Sequence, residues 1–377
     1  MDLNITDALF VHARERPRHP AVEDGDTVVT YSELAALVDQ AVAGLRAEGI
    51  ARGEIVPIAL PDTAEHVVAL LALAKLGAVS VTIDERSLCS EQSKVVEGLI
   101  VKAAIVADGA PRLLDLRSIP IGAIARSTAG LGTATDAVGS HLPSDGHLPA
   151  MLVHSSGTTG EPKRLFVTHH QLIGRCRLRI AIFGLGSAER FLQVPYLRFS
   201  WGRDGALVTI TLGGTIVLNH ANSVDDYLRY FTDRGITFAT LTPYHLRLIM
   251  PHVSGSEPRW PRLKIAVASA PLMPHERTLA RGRLTPLLIE TYGTNETSSL
   301  VLATPEDQDR HPESVGRLIA GIEGQVVDGN DAPLPFGEIG QIRFRGPSYF
   351  PVSTPAIRKR RPGNLRTAGS IRAISPL

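Results

Sequence analysis

Cysteine is nearly absent: the 377 residues contain two, Cys89 and Cys176. Two thiols cannot build a disulfide scaffold or, by themselves, a zinc site, and they fit a reducing cytoplasm. Excess charge is missing as well. A net charge of +1 gives no electrostatic case for binding nucleic acid or a membrane surface. The stretch from Met1 to Pro20 lacks the basic-then-apolar layout of a signal peptide. The most apolar helical stretch, Val67 to Val79, is too short for a membrane span and carries Lys75. Internal repeats and low-complexity tracts are also lacking. What remains, 44% hydrophobic and 20% charged residues, is the composition of a soluble globular enzyme, expected in the cytoplasm. The length exceeds the usual single-core size, so two or three domains or subdomains are expected.

Strand and helix patterns alternate through most of the chain. Thr30 or Ser32 can cap a helix in which Leu34, Leu37, Val38, Ala41 and Leu45 recur at helical spacing. Ile55 to Leu60 reads as a buried strand, Pro61-Asp62-Thr63 starts a helix that runs to Gly77, and Val79 to Asp84 is the next strand. This alternation predicts a parallel α/β layer over residues 1–150. A second α/β unit is expected over 151–312. It has strands at Gly213–Leu218, Thr237–Leu241, Leu263–Ala268 and Leu287–Glu290, and helices from His169, over Ser223–Arg234 and over Tyr244–Met250. Short alternating strands at Gly324–Asp328 and Ile339–Phe344, with turn residues Asp328 to Asp331 between them, predict a small antiparallel β subdomain over 313–350. The fold class is therefore α/β, with two α/β sheet subdomains and a small antiparallel β subdomain. From Pro351 onward there are six basic residues and no acidic ones, which reads as a solvated, poorly ordered tail over 351–377.

The richest segment is Ser155-Ser156-Gly157-Thr158-Thr159-Gly160-Glu161-Pro162-Lys163, entered from the apolar run Ala150 to Val153. Glycine lets backbone N–H groups turn toward an anion, hydroxyls add donors, and lysine adds a mobile charge. Such a segment suits a polyphosphate. It is not a P-loop of the Gly-x-x-x-x-Gly-Lys-Ser/Thr type, because Glu161 and Pro162 separate Gly160 from Lys163. Taken alone, a Ser/Thr/Gly loop is more often a surface connection than a phosphate cradle. Farther along, two expected strands end in small or polar residues, Ser269-Ala270-Pro271 and Thr291-Tyr292-Gly293-Thr294-Asn295-Glu296-Thr297. Sites in open α/β sheets gather at such carboxyl ends.

The full order Ser-Gly-Thr-Thr-Gly-x-Pro-Lys after a strand resembles the phosphate loop of the adenylate-forming superfamily: acyl-CoA synthetases, peptide-synthetase adenylation domains and luciferases. Thr30 to Leu34, Leu73 to Ala78 with Val81 to Asp84, Tyr292 to Thr297, Val315-Gly316-Arg317, and Gly337-Glu338-Ile339 with Arg345-Gly346-Pro347 resemble further motifs of that family, in the family order. The resemblance implies that Ser156, Gly157, Thr158, Thr159, Gly160 and Lys163 bind the nucleotide, with Thr158, Thr159 and Gly160 wrapping the β- and γ-phosphates of ATP and Lys163 nearby. It implies that Ser269, Ala270 and Pro271 line the adenine and acyl pocket. Tyr292 would stack on adenine within Gly293, Thr294 and Asn295, where Asn295 stands in place of the family's common threonine. Glu296 would ligate Mg²⁺, a hard cation suited to a carboxylate and phosphate oxygens. Lys163 and Glu296 are the expected catalytic pair. The implied reaction joins a small-molecule carboxylic acid to ATP, giving an acyl-adenylate that passes to coenzyme A or a carrier-protein phosphopantetheine.

Gln193 to Gly202 occupies the place of the family's aromatic acyl-pocket motif. Arg198 and Trp201 are candidate pocket residues, core packing is an equal reading for Trp201, and Arg198 hints at a second carboxylate on the acid. Where the family carries Thr-Gly-Asp, this chain has Thr367-Ala368-Gly369-Ser370. Ser370 cannot replace a charged carboxylate on the ribose hydroxyls. The family's C-terminal domain with its adenylation lysine does not follow. Three readings stay open: a truncated product, a large domain completed by a separate small-domain or carrier protein, and a pseudoenzyme that binds nucleotide or acyl ligand without turnover.

Overall fold

The computed structural model describes residues 3–125, 145–155, 163–295, 297–330, 332–346 and 365–367. The chain forms two compact units. Met1–His154, Leu165–Ile180 and Leu185–His220 make the first; Ser155–Arg164, Ala181–Gly184 and Ala221–Leu377 make the second.

The order begins α1 (Asp7–Glu15), β1 (Pro20–Asp24), β2 (Thr27–Thr30), α2 (Tyr31–Ala47), β3 (Ile55–Ala59), α3 (Ala64–Leu76) and β4 (Val79–Thr82). It continues α4 (Cys89–Val96), β5 (Ala103–Val106), β6 (Arg117–Pro120), α5 (Ile121–Ile124), β7 (Pro149–Ser155), β8 (Lys163–Thr168) and α6 (His169–Ile182). Then come β9 (Arg190–Gln193), α7 (Ser200–Leu212) and β10 (Thr215–Leu218). Thr30 caps α2 in a reciprocal capping box with Glu33, which satisfies two otherwise orphaned N–H groups. Tyr31, Leu34, Val38, Ala41 and Leu45 are fully buried along its inner face. Helix α3 is apolar almost all round and is buried on nearly every side, as a core helix must be. One sheet runs β6-β5-β3-β4-β7-β8. Its strands β3, β4, β5 and β6 are parallel, as are β4 and β7. In the other sheet of this unit β9, β10 and β1 are parallel and β2 closes the edge antiparallel.

The second unit contains α8 (Val224–Asp233), β11 (Phe238–Leu241), α9 (Pro243–Ile249), β12 (Lys264–Val267), α10 (Pro274–Arg283), β13 (Leu288–Thr294) and β14 (Ser298–Ala303). They are followed by α11 (Pro305–Arg310), β15 (Arg317–Leu318), β16 (Glu323–Val327), β17 (Gln341–Arg345) and β18 (Leu365–Thr367). Strands β11, β12 and β13 are parallel. Strands β14 and β15 extend that sheet antiparallel, and β16, β17 and β18 form a small antiparallel sheet.

The α/β class with a small antiparallel sheet is as expected. Three details differ. The first compact unit does not stop at its run to His154 but also takes up Leu165–Ile180 and Leu185–His220, where β9 and β10 run parallel to β1 of the amino-end hairpin. The small sheet starts after Arg317–Leu318, which pairs with β14. It also gains a third strand from within the expected tail, where Leu365, Arg366 and Thr367 pair with Phe344, Arg343 and Ile342. No helix among the described residues is long and apolar enough to cross a membrane.

Candidate functional site

In the second unit, parallel pairing sets the carboxyl ends of β12 and β13 side by side, with Val267 opposite Glu290. Beyond β12 the chain turns through Ser269, Ala270 and Pro271, all exposed. Ser269 has φ +80°, a left-handed conformation that costs a side-chain-bearing residue about 1–2 kcal/mol. Strain of this kind gathers at ligand-binding turns. The sequence pattern places the end of the next strand at Glu290, yet β13 continues to Thr294, because β14 pairs with it from the other side. The register slips between Tyr292 and Gly293, and such a bulge re-aims the side chains beside it. A Cβ on Gly293 would lie 1.7 Å from the Ser298 carbonyl oxygen, so only glycine fits there.

The turn after β13 is closed by its two threonines. The Thr294 N–H donates to the Thr297 hydroxyl at 3.2 Å, and the Thr297 N–H donates to the Thr294 carbonyl at 3.2 Å. Asn295 stands exposed on this turn. Tyr292 is half-buried, its ring 6.5 Å from that of Phe344 on β17. Beneath it, Glu290 makes an ion pair with Arg277 of α10, and Arg277 also donates to the Pro312 carbonyl at 2.8 Å. Burial raises the Glu290 carboxyl above its ordinary value even though Arg277 pulls it down. The pair therefore orders the strand more than it stabilises it.

In the first unit, the carboxyl ends of β3, β4 and β9 carry a second polar group. The segment after β9, Val194 to Phe199, is held by side chains from β4, α7 and the turn after β3. Both carboxylate oxygens of Asp62 accept the Leu197 N–H, at 3.1 and 3.2 Å. The Arg198 carbonyl accepts from the Thr82 hydroxyl at 2.9 Å and from the Arg203 guanidinium at 2.8 Å. Arg203, 3% exposed, also donates to the Thr82 hydroxyl. Burial draws its guanidinium down to about 10, so it stays charged at neutral pH. A Cβ on Gly202 would sit 2.2 Å from the Tyr196 carbonyl oxygen, which lets the first turn of α7 lie directly on the segment.

Arg198 has a counterion and two aromatic neighbours within its own unit. Its Nε lies 3.3 Å from Asp84, and its guanidinium stacks 4.0 Å from the Tyr196 ring centroid and 5.0 Å from that of Phe199. Both aromatic rings are otherwise exposed. Trp201 carries the Arg179 guanidinium 3.9 Å from its ring centroid, and Arg179 pairs with Asp204 at 3.5 Å. The Trp201 indole nitrogen is buried without a hydrogen-bond partner.

Ser156, Gly157, Thr158, Thr159, Gly160 and Glu296 lie outside the described residues, which resume at Lys163, the first residue of β8. The strands that flank the phosphate-loop segment, β7 and β8, are neighbours in the sheet. Among the described residues no group of three or more His, Cys, Asp or Glu is gathered for a metal. Neither cysteine is in a disulfide, and burial pushes the Cys176 thiol up to about 12, far from nucleophilic at neutral pH. Sequence reasoning did not single out Asp62, Thr82 or Arg203. The available signal was a polar residue placed just at or past the end of a buried strand.

Several known proteins resemble this chain. The chain is 28% identical over 333 residues to a probable non-canonical nonribosomal peptide synthetase, CymA, of Salinispora arenicola, covering 88% of this chain and 4% of that protein. It is 27% identical over 356 residues to a 3-hydroxybenzoate–CoA ligase of Aromatoleum, covering 88% of this chain and 66% of that one. This chain thus spans a small fraction of the synthetase. Its fold is that of the N-terminal subdomain of Klebsiella oxytoca NpsA, with a TM-score of 0.79, 18% identity and coverage of 98% and 97% of the two chains. That subdomain has also been solved with 3-hydroxybenzoyl-AMSN. The family model of AMP-binding enzymes matches residues 9–352, and the chain belongs to that family.

Proposed function

We propose that this protein catalyses the adenylate-forming half of an AMP-forming acid–thiol ligation. A carboxylate oxygen of the acid attacks the α-phosphorus of ATP, the bond from that phosphorus to the bridging oxygen breaks, and pyrophosphate leaves with its electron pair. The observation that carries this reading is the match of one family model over residues 9–352, a span that contains the phosphate-loop, adenine and later motifs in order. Thr158, Thr159 and Gly160 bind the β- and γ-phosphates, and Lys163 adds a point charge. Tyr292 packs on adenine from the bulged end of β13, and Ser269 to Pro271 approach it from the strained turn after β12.

Mg²⁺ takes one or two carboxylates and completes its shell with phosphate oxygens and water. Glu296 is the residue that would hold it, and when bound it offsets polyphosphate charge. The acid is an aromatic monocarboxylate. Arg198 already has Asp84 as its counterion; one relative is named a 3-hydroxybenzoate–CoA ligase and one similar structure was solved with 3-hydroxybenzoyl-AMSN. The acceptor thiol belongs to coenzyme A or a carrier-protein phosphopantetheine, with a separate small-domain or carrier protein as partner. Two cysteines outside any disulfide support a cytoplasmic setting.

The test is ATP–pyrophosphate exchange across benzoate, 3-hydroxybenzoate, aliphatic acids and amino acids. Exchange with an aromatic acid is expected. It should fall about 100-fold or more in Lys163→Ala and Glu296→Ala, the size expected when a charge-stabilising group is removed. Binding of ATP without exchange for any acid rejects turnover and leaves a nucleotide-binding protein.

A further inference from the structure

The anchoring of Val194 to Phe199 goes beyond the adenylation reading. Leu197 is fully buried, so its N–H has to find an acceptor inside the protein. It lies in the turn between β9 and α7, outside any strand or helix ladder. The acceptor is Asp62, 135 residues away in sequence, which takes the single N–H between its two oxygens. Asp62 is free to do so because it does not cap α3. The N-cap is Thr63, which makes no side-chain cap hydrogen bond, and Asp24 of β1 accepts the Ala64 N–H at 2.8 Å instead. The Asp62 carboxylate is thus spent on the segment that presents Tyr196, Arg198 and Phe199.

We infer that Asp62 is a positioning residue: by accepting the Leu197 N–H in its ionised form it fixes the Tyr196–Phe199 segment, and the affinity for the acid depends on that ionisation. The inference rests on the adenylation reading both for the identity of the acid and for the place of this segment beside it, and on the geometry alone for the anchoring.

Physical chemistry sets the pH range. Burial raises the Asp62 carboxyl to about 6, against the Leu197 N–H and the Arg198 and Arg86 charges, which lower it; Glu85 adds to the rise. On the adjoining helix α3, His66 is held at about 4, mainly by burial, and stays neutral above that. Above about 6 Asp62 is charged and a strong acceptor. Below it the carboxyl is neutral and a weaker one. Stability runs the other way. With a folded pKa above the ordinary carboxyl value of 3.8, the contribution of this group to folding is present in acid and is lost as pH rises through about 6. Asp62 is therefore ionised at some cost to the fold, and removing its charge should not unfold the protein.

The experiment uses the full chain with Asp62→Ala, which removes the acceptor, and Asp62→Asn, which keeps an acceptor oxygen but cannot titrate. Amide hydrogen exchange at Leu197 is read from pH 5 to 8 and corrected for intrinsic exchange. ATP–pyrophosphate exchange gives KM for 3-hydroxybenzoate and for ATP. In Asp62→Ala, Leu197 should exchange about tenfold faster, and KM for the acid should rise about tenfold with KM for ATP unchanged, the size expected for a lost hydrogen bond to a charged group. Asp62→Asn should restore both values at pH 7.5. The wild type should lose Leu197 protection as pH falls from 7 to 5, and Asp62→Asn should not. Both variants should keep the wild-type Tm at pH 7.5 to within about 3 °C. Unchanged Leu197 protection in Asp62→Ala, or equal shifts in both KM values, overturns the inference. If the wild type exchanges with no acid while Leu197 still responds to Asp62, the adenylation reading fails and the anchoring role stands.

Discussion

Gly293 has no room for a side chain. Its missing Cβ would sit 1.7 Å from the Ser298 carbonyl oxygen, and that oxygen belongs to a backbone already held by the β13–β14 pairing. Gly293→Ala must push the hairpin apart. Overpacking in a constrained position costs about 1–3 kcal/mol, so the variant should lose at least about 2 kcal/mol, read as a lowered urea midpoint. Retained stability would mean that the bulge between Tyr292 and Gly293 is not formed. Ser269 is the contrasting case. Its φ of +80° would suit glycine, yet serine stands there, so local strain is tolerated where the small-residue turn meets solvent. At this scale the sequence was legible in part. Ser269, Tyr292 and Asn295 could be picked out by motif, whereas the strain at Ser269 and the crowding at Gly293 come from how neighbouring strands close on them.

Helix α10 and strand β13 are joined by Arg277 and Glu290, whose side chains are 6% and 12% exposed. A buried pair adds little net stability, yet removing one member leaves the other charge without a partner. Glu290→Ala should therefore destabilise the protein by about 3 kcal/mol, measured by chemical unfolding. It should also weaken nucleotide binding, because Glu290 supports the strand that presents Tyr292. A change below about 1 kcal/mol would show that Arg277 finds another acceptor beyond the Pro312 carbonyl. The elements themselves were well marked in the sequence. Thr30 with Glu33, the apolar run into Gly77, and Ser223 ahead of α8 are local signals, and each produced the expected helix. The hairpin β1–β2, the antiparallel strand β14 and the late strand β18 carried weaker signals, because edge and antiparallel strands depend on the partner they meet.

At the scale of the whole molecule, ligand binding should register as stability. A ligand that binds only the folded state adds about 2.7 kcal/mol at a concentration of 100 times its Kd. ATP with Mg²⁺ should therefore raise the thermal midpoint by about 3 °C or more, and Lys163→Ala should remove most of that rise. No shift at millimolar ATP would reject nucleotide binding. Family membership, the α/β class and the order of motifs were written in the sequence, because they rest on short segments whose propensities and turn residues act over a few positions. The anchoring of the segment after β9 was decided by tertiary structure alone. Asp62 meets Leu197 across 135 residues, and Arg203 meets Thr82 across 121. Asp62 follows β3 and Leu197 follows β9, strands of two different sheets, so which carboxylate faces which N–H is set only where those sheets meet, and no local pattern in Pro61-Asp62-Thr63 distinguishes a helix cap from the anchor of a distant loop.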